Sequence, residues 1–276
     1  MSDGWFDDVG SVARRESGPR ETLAANRSWW DREAEDYLDE HGTFLGDSDL
    51  VWGPEGWTEE ELRVLGDPGR HRGSTVLEFG GGAAQGGRWF ASRGARIVSS
   101  DVSGGMLRTA RTVDARSHGR APALVQADAT RLPFVSGSFD TVFSAYGATP
   151  FVADGAGLMA EVARVLRPGG TLAFSTSHPI RWAFPDVPGE AGLTATASYF
   201  DETPYVEDAG GRATYVEHHR TMGHRIAEIV GAGLALQAVH EPEWPTDNDE
   251  VWGGWSPLRG AHFPGTAIFV ATRPAP

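Results

Sequence analysis

An apolar run that ends in an acid and three glycines occupies positions 76–82, where the chain reads Val76-Leu77-Glu78-Phe79-Gly80-Gly81-Gly82. The apolar part is typical of a buried strand. Glycine lets the backbone turn sharply and approach a ligand closely, because no Cβ stands in the way. A helix that begins after such a turn offers free N–H groups to a polar ligand. The segment therefore predicts a strand, a ligand-binding loop and a helix in succession.

Short apolar runs alternate with helical patterns around this segment, from Ser74 to Thr176. The predicted strands are Thr75–Phe79, Arg96–Ser100, Ala123–Ala127, Thr141–Ala145 and Thr171–Thr176. The helices predicted between them lie near Ala84–Ser92, Gly104–Arg116 and Asp154–Leu166. This alternation predicts an α/β fold, a doubly wound and mostly parallel sheet that binds its ligand at the carboxyl ends of the strands.

The rest of the chain is predicted to surround this core in a single domain. Residues 1–24 are polar and are predicted to be a flexible tail, with regular structure beginning near Ala25. The domain, 25–276, divides into an N-terminal helical lid, the core, a substrate-side insertion and a C-terminal part, which are predicted at 25–73, 74–177, 178–221 and 222–276. Gly210-Gly211 predicts a hairpin within the insertion. Two closing strands are expected near Leu236–His240 and Thr266–Thr272.

Composition excludes several function classes. The chain has no cysteine, which removes disulfides, thiolate zinc sites and cysteine nucleophiles, and all 24 of its basic residues are arginines, so a phosphate loop that needs lysine is absent. A net charge of −14 without a basic block argues against nucleic-acid binding and favours a small-molecule partner. No apolar run is long enough to span a membrane and no signal peptide is recognisable, so we expect a cytoplasmic protein.

Carboxylates follow two further strands at the predicted ligand edge. Asp101 ends the second strand, where it could accept hydrogen bonds from both hydroxyls of a ribose. Asp128 ends the third strand, where it could accept one from an exocyclic adenine amine. A turn with proline and glycine, Arg164–Gly170, joins the last core helix to its strand.

At these residues the sequence resembles the class I S-adenosylmethionine-dependent methyltransferases, in particular the small-molecule branch that contains quinone-biosynthesis enzymes. The resemblance covers about residues 74–177. The acid-x-Gly-x-Gly-x-Gly loop of the family falls on Glu78, Gly80 and Gly82, with Ala84 in place of the last glycine. It implies a Rossmann-like sheet of seven strands, the last of them antiparallel, with a helical lid and an inserted hairpin.

The resemblance also implies S-adenosylmethionine as the cofactor and a set of residues that bind it. Phe139–Tyr146 is similar to the fourth motif of the family, where the backbone after the strand helps to hold the methionine amino group, and Tyr37 lies on the helix that resembles the cofactor lid. The predicted cofactor-binding residues are Tyr37, Glu78, Gly80, Gly81, Gly82, Asp101, Val102, Met106, Asp128, Ala129 and Ala145.

Histidines are the candidates for a catalytic base. Methyl transfer from a sulfonium is expected to be an in-line displacement, and a base is needed only if the acceptor keeps its proton. His178 follows the fifth core strand, and His218 and His219 end the hairpin, where at most one of these two should face the site. We therefore predict His178 and His219 as catalytic residues. No metal site is predicted, because His219 and His224 are not on one helix face.

Other interpretations stay open for the same residues. Glu78 could only cap the next helix, and Asp101, Asp128 and His178 could be turn residues. The aromatic residues Trp29, Trp30 and Tyr37 could be core packing. Those of the insertion would suit an apolar or aromatic acceptor or could instead pack the hairpin onto the sheet, namely Trp182, Phe184, Tyr199, Phe200, Tyr205 and Tyr215.

Methylation of a small molecule is the preferred function, with two alternatives. An NAD-dependent oxidoreductase shares the glycine loop and the ribose acid, although Gln85 replaces the third glycine of the pattern that such enzymes use. A non-catalytic module that binds S-adenosylmethionine would keep the same acids. A homodimer formed through the hairpin or the closing strands is compatible with each function.

Overall fold

Ten strands and seven α-helices are present among the residues that the computed structural model describes, 11–117 and 119–275. The strands are β1 (Ser11–Arg14), β2 (Thr75–Phe79), β3 (Arg96–Asp101), β4 (Ala123–Gln126), β5 (Phe139–Ser144), β6 (Leu166–Ser177), β7 (Tyr205–Ala209), β8 (Arg212–Glu217), β9 (Ala235–His240) and β10 (Thr266–Thr272). The helices are α1 (Pro19–Leu45), α2 (Glu59–Leu62), α3 (Gln85–Ser92), α4 (Gly104–Arg116), α5 (Gly155–Val165), α6 (Met222–Gly231) and α7 (Pro257–Gly260).

Seven of the strands form one sheet in the order β4-β3-β2-β5-β6-β10-β9. The first five are parallel, and β10 runs antiparallel to both β6 and β9. The predicted doubly wound sheet with an antiparallel last strand is therefore confirmed. The strand order reverses between β2 and β5, and a crevice at the carboxyl ends of such a pair is where open α/β sheets bind ligands.

The side chains of successive β2 residues pack on opposite faces of the sheet. Val76 packs with Trp89 and Phe90 of α3 on one face, and Leu77 packs with Leu158 of α5 on the other. All five side chains are almost completely buried. Burial of an apolar side chain of this size contributes roughly 1.5–3 kcal/mol, so the position of β2 is held from both sides. The loop that follows β2 therefore starts from a rigid base.

A smaller sheet of β1, β7 and β8 lies beside α1. The predicted hairpin is present as β7 and β8, with Gly210 and Gly211 at positive φ in its turn. The prediction that regular structure begins near Ala25 is wrong, because β1 pairs with β7 and α1 begins at Pro19. Short polar sequences of this kind become ordered when a partner strand supplies their hydrogen bonds. The first ten residues of the predicted tail lie outside the described residues.

Asn26 holds α1 to the hairpin. Its amide donates to the carbonyl oxygens of Val216 and Phe151 at 2.9 and 3.1 Å, and its Oδ1 accepts from the Val216 N–H at 2.9 Å. The helix is thus placed over the carboxyl edge of the main sheet. Every helix in the described part of the chain is too short or too polar to cross a membrane. The division of residues 25–276 into lid, core, insertion and C-terminal part stays a prediction.

Candidate active site

A large cleft opens at the carboxyl ends of β2, β3 and β5. Its volume, counted out to its solvent-filled mouth, is about 1210 Å³. All eleven residues predicted from the sequence to bind the cofactor line this cleft, namely Tyr37, Glu78, Gly80, Gly81, Gly82, Asp101, Val102, Met106, Asp128, Ala129 and Ala145. The fold therefore brings together residues that are spread over more than a hundred positions of the sequence. Their role in binding remains a prediction.

The glycine loop crosses the cleft floor in a conformation that its sequence permits. Gly80 has a φ of +60°, and a Cβ added to it would lie 2.5 Å from the backbone nitrogen of Ala148. The loop after β2 is thus pressed against the loop after β5. Ala84 also has a positive φ, +61°, at the start of α3. The position where the family has its last glycine keeps the left-handed backbone despite the methyl group.

Glu78 is buried at the end of β2, directly below the loop. The Ser99 hydroxyl donates a hydrogen bond of 2.5 Å to its Oε2, and burial raises the pKa of the carboxyl to about 7, although this hydrogen bond works in the other direction. Cβ atoms added at Gly81 or Gly86 would come within 2.8 or 2.7 Å of the carboxylate. The carboxylate therefore lies against the start of α3 and also lines the cleft. Its position is compatible both with a cap of the helix and with binding of the cofactor.

Asp101 connects the glycine loop to the start of α4. Its Oδ2 accepts from the Gly82 N–H at 2.9 Å, and its Oδ1 accepts from the Ser103 N–H at 2.8 Å. Burial raises the pKa of Asp101, and these backbone hydrogen bonds partly oppose the shift. Each carboxylate oxygen can accept a second hydrogen bond, so the side chain retains the capacity to bind ligand hydroxyls.

Asp128 forms a turn two residues after the end of β4. Its Oδ1 accepts from the backbone N–H and the hydroxyl of Thr130, at 2.9 and 2.8 Å. The turn role that the sequence left open is therefore present. The same residue and Ala129 line the cleft, so a turn role and a ligand role are compatible here.

The N-terminal helix α1 forms one wall of the cleft. Asp31 on this helix accepts hydrogen bonds from the Ser103 hydroxyl and the Gly105 N–H, both at 2.8 Å. A Cβ on Gly105 would lie only 2.6 Å from the Asp31 carbonyl oxygen, so the two helices approach closely. This contact places Trp30 and Tyr37 along the cleft. The predicted position of the lid helix is consistent with this arrangement.

The predicted catalytic histidines do not reach the cleft lining. His178 Nε2 lies 2.7 Å from Glu241 Oε1, and its Nδ1 accepts from the Ile180 N–H at 3.1 Å. His219 Nε2 lies 2.7 Å from the Tyr199 carbonyl oxygen. Burial lowers the pKa of both imidazoles. Their catalytic role stays a prediction that the geometry does not support.

His218 is also buried away from the cleft, with its Nε2 3.0 Å from the Thr22 hydroxyl, and burial lowers its pKa to about 4. The described residues hold no group of three or more His, Cys, Asp or Glu side chains that could bind a metal ion. The polar side-chain groups that line the cleft are carboxylates, amides, tyrosine hydroxyls and indole N–H groups.

Three aromatic residues of the cleft, Tyr146, Phe151 and Trp252, were not selected from the sequence. Trp252, between β9 and β10, lies parallel to the His41 ring of α1 at 4.2 Å between centroids, and 6.3 Å from the Tyr37 ring. Tyr146 follows β5 and lies 6.4 Å from Trp252. Trp252 carried no sequence signal, because its neighbours in the cleft are distant along the chain. Tyr146 stands at the end of the fourth motif, from which only Ala145 was selected.

Comparisons with known proteins agree on one family. Residues 77–174 match the family model described as a methyltransferase domain. The chain is 39% identical over 205 residues to a demethylmenaquinone methyltransferase of Parafrankia sp. (strain EAN1pec), covering 64% of this chain and 80% of that protein. It is 40% identical over 204 residues to a demethylmenaquinone methyltransferase of Mycobacterium sp. (strain KMS), covering 67% and 83%.

Solved structures are also similar. An S-adenosylmethionine-dependent methyltransferase from Mesorhizobium loti is 28% identical with a TM-score of 0.58, over 74% of this chain and 92% of that one. The 1,6-didemethyltoxoflavin-N1-methyltransferase of Burkholderia thailandensis, solved with 1,6-didemethyltoxoflavin and S-adenosylhomocysteine, has a TM-score of 0.58 over 95% of both chains. At 16% identity it is evidence for the fold alone.

Proposed function

We propose that this chain, which belongs to the S-adenosylmethionine-dependent methyltransferases, methylates a small, planar aromatic molecule in its cleft. The observation that carries the acceptor class is an aromatic wall of the cleft. Rings from several distant segments line it, namely Trp30, Tyr37, Tyr146, Phe151 and Trp252. Aromatic rings prefer to pack against other rings, and pockets for small molecules combine such surfaces with a few polar groups. The acceptor in the names of two similar proteins, demethylmenaquinone, supports the same class.

The residues present fit the cofactor. Asp101 and Asp128 offer carboxylate oxygens beside the ends of the neighbouring strands β3 and β4, and both line one cleft with the glycine loop. Asp101 would hold the ribose hydroxyls, Asp128 the adenine amine, and the backbone at Ala145 the methionine amino group. S-adenosylmethionine would supply a methyl group activated on a sulfonium.

The contribution of the protein is then mainly alignment and exclusion of water. Among the described residues that line the cleft there is no histidine. Apart from the carboxylates Asp49, Glu78, Asp101 and Asp128, the polar side chains of the lining are amide, hydroxyl and indole groups, which orient an acceptor better than they remove a proton from it. An acceptor that is nucleophilic on its own suits such a site.

Calorimetric titration tests the cofactor assignment. We expect S-adenosylmethionine and S-adenosylhomocysteine to bind and NAD not to bind. Asp101→Asn should weaken both sulfur ligands about 10- to 100-fold, since roughly 1–3 kcal/mol is lost when a buried polar partner is left unpaired. Asp154→Asn, at the start of α5 and outside the cleft lining, is the matched control. Binding of NAD, or of no nucleotide, would contradict the proposal.

Mass spectrometry tests the acceptor class. Under anaerobic conditions, 1,4-dihydroxynaphthalene with S-adenosylmethionine should gain one methyl group, with S-adenosylhomocysteine formed in equal amount. An aliphatic alcohol should gain none. Transfer to the aliphatic alcohol alone would contradict the aromatic acceptor while leaving the cofactor assignment intact.

Location and partners belong to the same proposal. The net charge of −14 supports the absence of nucleic-acid binding, and a cytoplasmic location remains a proposal. A homodimer through the hairpin or the closing strands also remains a proposal, and light scattering tests it.

A further inference from the structure

Tyr146 has an unusual backbone for its residue type. It stands two residues after the end of β5, lines the cleft and has a φ of +53°. A non-glycine residue in the left-handed region costs roughly 1–2 kcal/mol, because its Cβ crowds the following carbonyl oxygen. Such strain persists only where the surroundings hold the residue, and it concentrates at functional sites.

Two serines of β6 hold Tyr146 at both ends. The Tyr146 N–H donates to the Ser175 hydroxyl at 2.7 Å, and the Tyr146 hydroxyl lies 2.8 Å from the Ser177 hydroxyl. Residues two apart on a strand point to the same face, so the pair forms one bracket. The bracket determines the direction of the ring as well as the backbone.

We propose that Tyr146 orients the methyl acceptor by donating a hydrogen bond from its hydroxyl to an oxygen of the aromatic molecule. This inference rests on the proposed function. The Ser177 hydroxyl can donate to the Tyr146 oxygen, which leaves the phenolic proton for a ligand. The centroids of the Tyr146 and Trp252 rings are 6.4 Å apart, and the ring planes meet at 60°. The Tyr146 hydroxyl is thus a polar group beside aromatic rings.

The surroundings of Tyr146 favour a donor over a base. Burial is the largest influence on the pKa of the phenol and raises it. The hydrogen bond with Ser177 and the charge of Arg181 lower this pKa, the charge of Glu55 raises it, and the net shift is upward. The hydroxyl therefore remains protonated at neutral pH. Tyr146 can hold an oxygen of the acceptor in place without taking its proton.

A pair of isosteric probes tests this role without turnover. The protein saturated with S-adenosylhomocysteine is titrated calorimetrically with 1-naphthol and with 1-methylnaphthalene, which differ by a hydroxyl and a methyl group. The wild type should bind 1-naphthol about 3- to 10-fold more tightly, the range of one neutral hydrogen bond. Tyr146→Phe should reduce this ratio to about 1, and Ser177→Ala should reduce it in part.

The control is Tyr205→Phe, which removes a hydroxyl that donates to Glu207 outside the cleft lining. It should keep the wild-type ratio. An unchanged ratio in both Tyr146→Phe and Ser177→Ala would overturn the inference, as would a wild type that binds S-adenosylhomocysteine but does not prefer 1-naphthol. A wild type that does not bind S-adenosylhomocysteine would instead contradict the proposed function.

Discussion

The two ends of the cleft are built in different ways. The end that we call the cofactor end consists of the loop after β2 with Glu78, and of Asp101 and Asp128. These residues lie at or just after the ends of three consecutive strands, β2, β3 and β4, and the strands determine their positions. The aromatic end consists of rings on α1, after β5 and between β9 and β10, namely Trp30, Tyr146, Phe151 and Trp252, and Tyr37 of the predicted cofactor set lies between Trp30 and Trp252.

The difference separates two kinds of specificity. At the cofactor end the polar groups are backbone N–H groups and short carboxylates that are already held, as Asp101 is by Gly82 and Ser103. At the aromatic end the contacts are between large side chains, such as Trp252 on His41. A substitution at one end should therefore change the binding of one ligand and leave the other nearly unaffected.

The largest effect is expected from Gly80→Ala. A Cβ there would lie 2.5 Å from the Ala148 nitrogen, and the φ of +60° is also unfavourable for alanine. We expect the free energy of unfolding to fall by more than about 2 kcal/mol, since the steric clash adds to roughly 1 kcal/mol for the left-handed backbone. Urea denaturation measures the change.

Gly210→Ala is the matched control for Gly80→Ala. Gly210 has a similar φ of +62°, but its Cβ would meet no atom within 4 Å. This variant should lose only about 1 kcal/mol. Equal losses in the two variants would show that the close contact between the loops does not exist.

A second test uses two glutamates whose pKa is raised by the same amount. Burial raises the pKa of both Glu78 and Glu59 to about 7, from 4.5. Each therefore stabilises the fold only while it is protonated, fully below about pH 4.5, and this contribution is lost as the pH rises through about 7. Between pH 4.5 and 7 the unfolding free energy of the wild type should decline. In Glu78→Gln and in Glu59→Gln this decline should be smaller than in the wild type by about 1–3 kcal/mol.

Cofactor affinity distinguishes the two glutamates. Glu59 bonds to Trp52 and Leu65 and does not line the cleft, so only Glu78→Gln should weaken S-adenosylhomocysteine binding. The exposed Glu190→Gln is the surface control. Equal loss of affinity in both buried variants would place the effect in the fold rather than in the cofactor end.

A third test addresses the aromatic end. Trp252→Ala removes the ring that stacks on His41 and lines the cleft. The affinity for 1-naphthol should fall about tenfold, an effect of about 1.4 kcal/mol that is typical of a lost aromatic contact. S-adenosylhomocysteine should bind within about twofold of the wild type.

Trp57→Ala is the control for Trp252→Ala, since Trp57 bonds to the Glu243 carbonyl oxygen and lies outside the cleft lining. A tenfold loss of S-adenosylhomocysteine binding in Trp252→Ala would contradict the separation of the two ends. Measuring both ligands by calorimetry on the same samples makes the comparison direct.

The smallest effect is expected from Ala84→Gly. Glycine relieves the left-handed backbone at φ +61°, worth about 1 kcal/mol, but removes a fully buried methyl group worth about 0.8 kcal/mol. The net change in unfolding free energy should stay within about 0.5 kcal/mol. A loss above about 1.5 kcal/mol would mean that the methyl group, rather than the backbone, determines this turn.

The core of the fold was predictable because its signals are local. β2, α4 and β10 begin and end at the predicted residues, and the hairpin around Gly210 is where the glycine pair indicates it. The β1 strand was not predicted, because the polar segment Ser11–Arg14 acquires its order only from pairing with β7. The start of α1 was misplaced for a similar reason, since Asn26 is anchored by Val216.

The candidate site divides along the same line. By itself the sequence determined the cofactor end, because an acid or a glycine at the end of a strand is placed by the strand, and parallel strands end at one edge. Only the tertiary structure placed His178 and His219 away from the cleft and brought Trp252 and Tyr146 together. Side chains from distant segments meet through packing that no local pattern encodes, and for that reason the aromatic end became visible only in the folded chain.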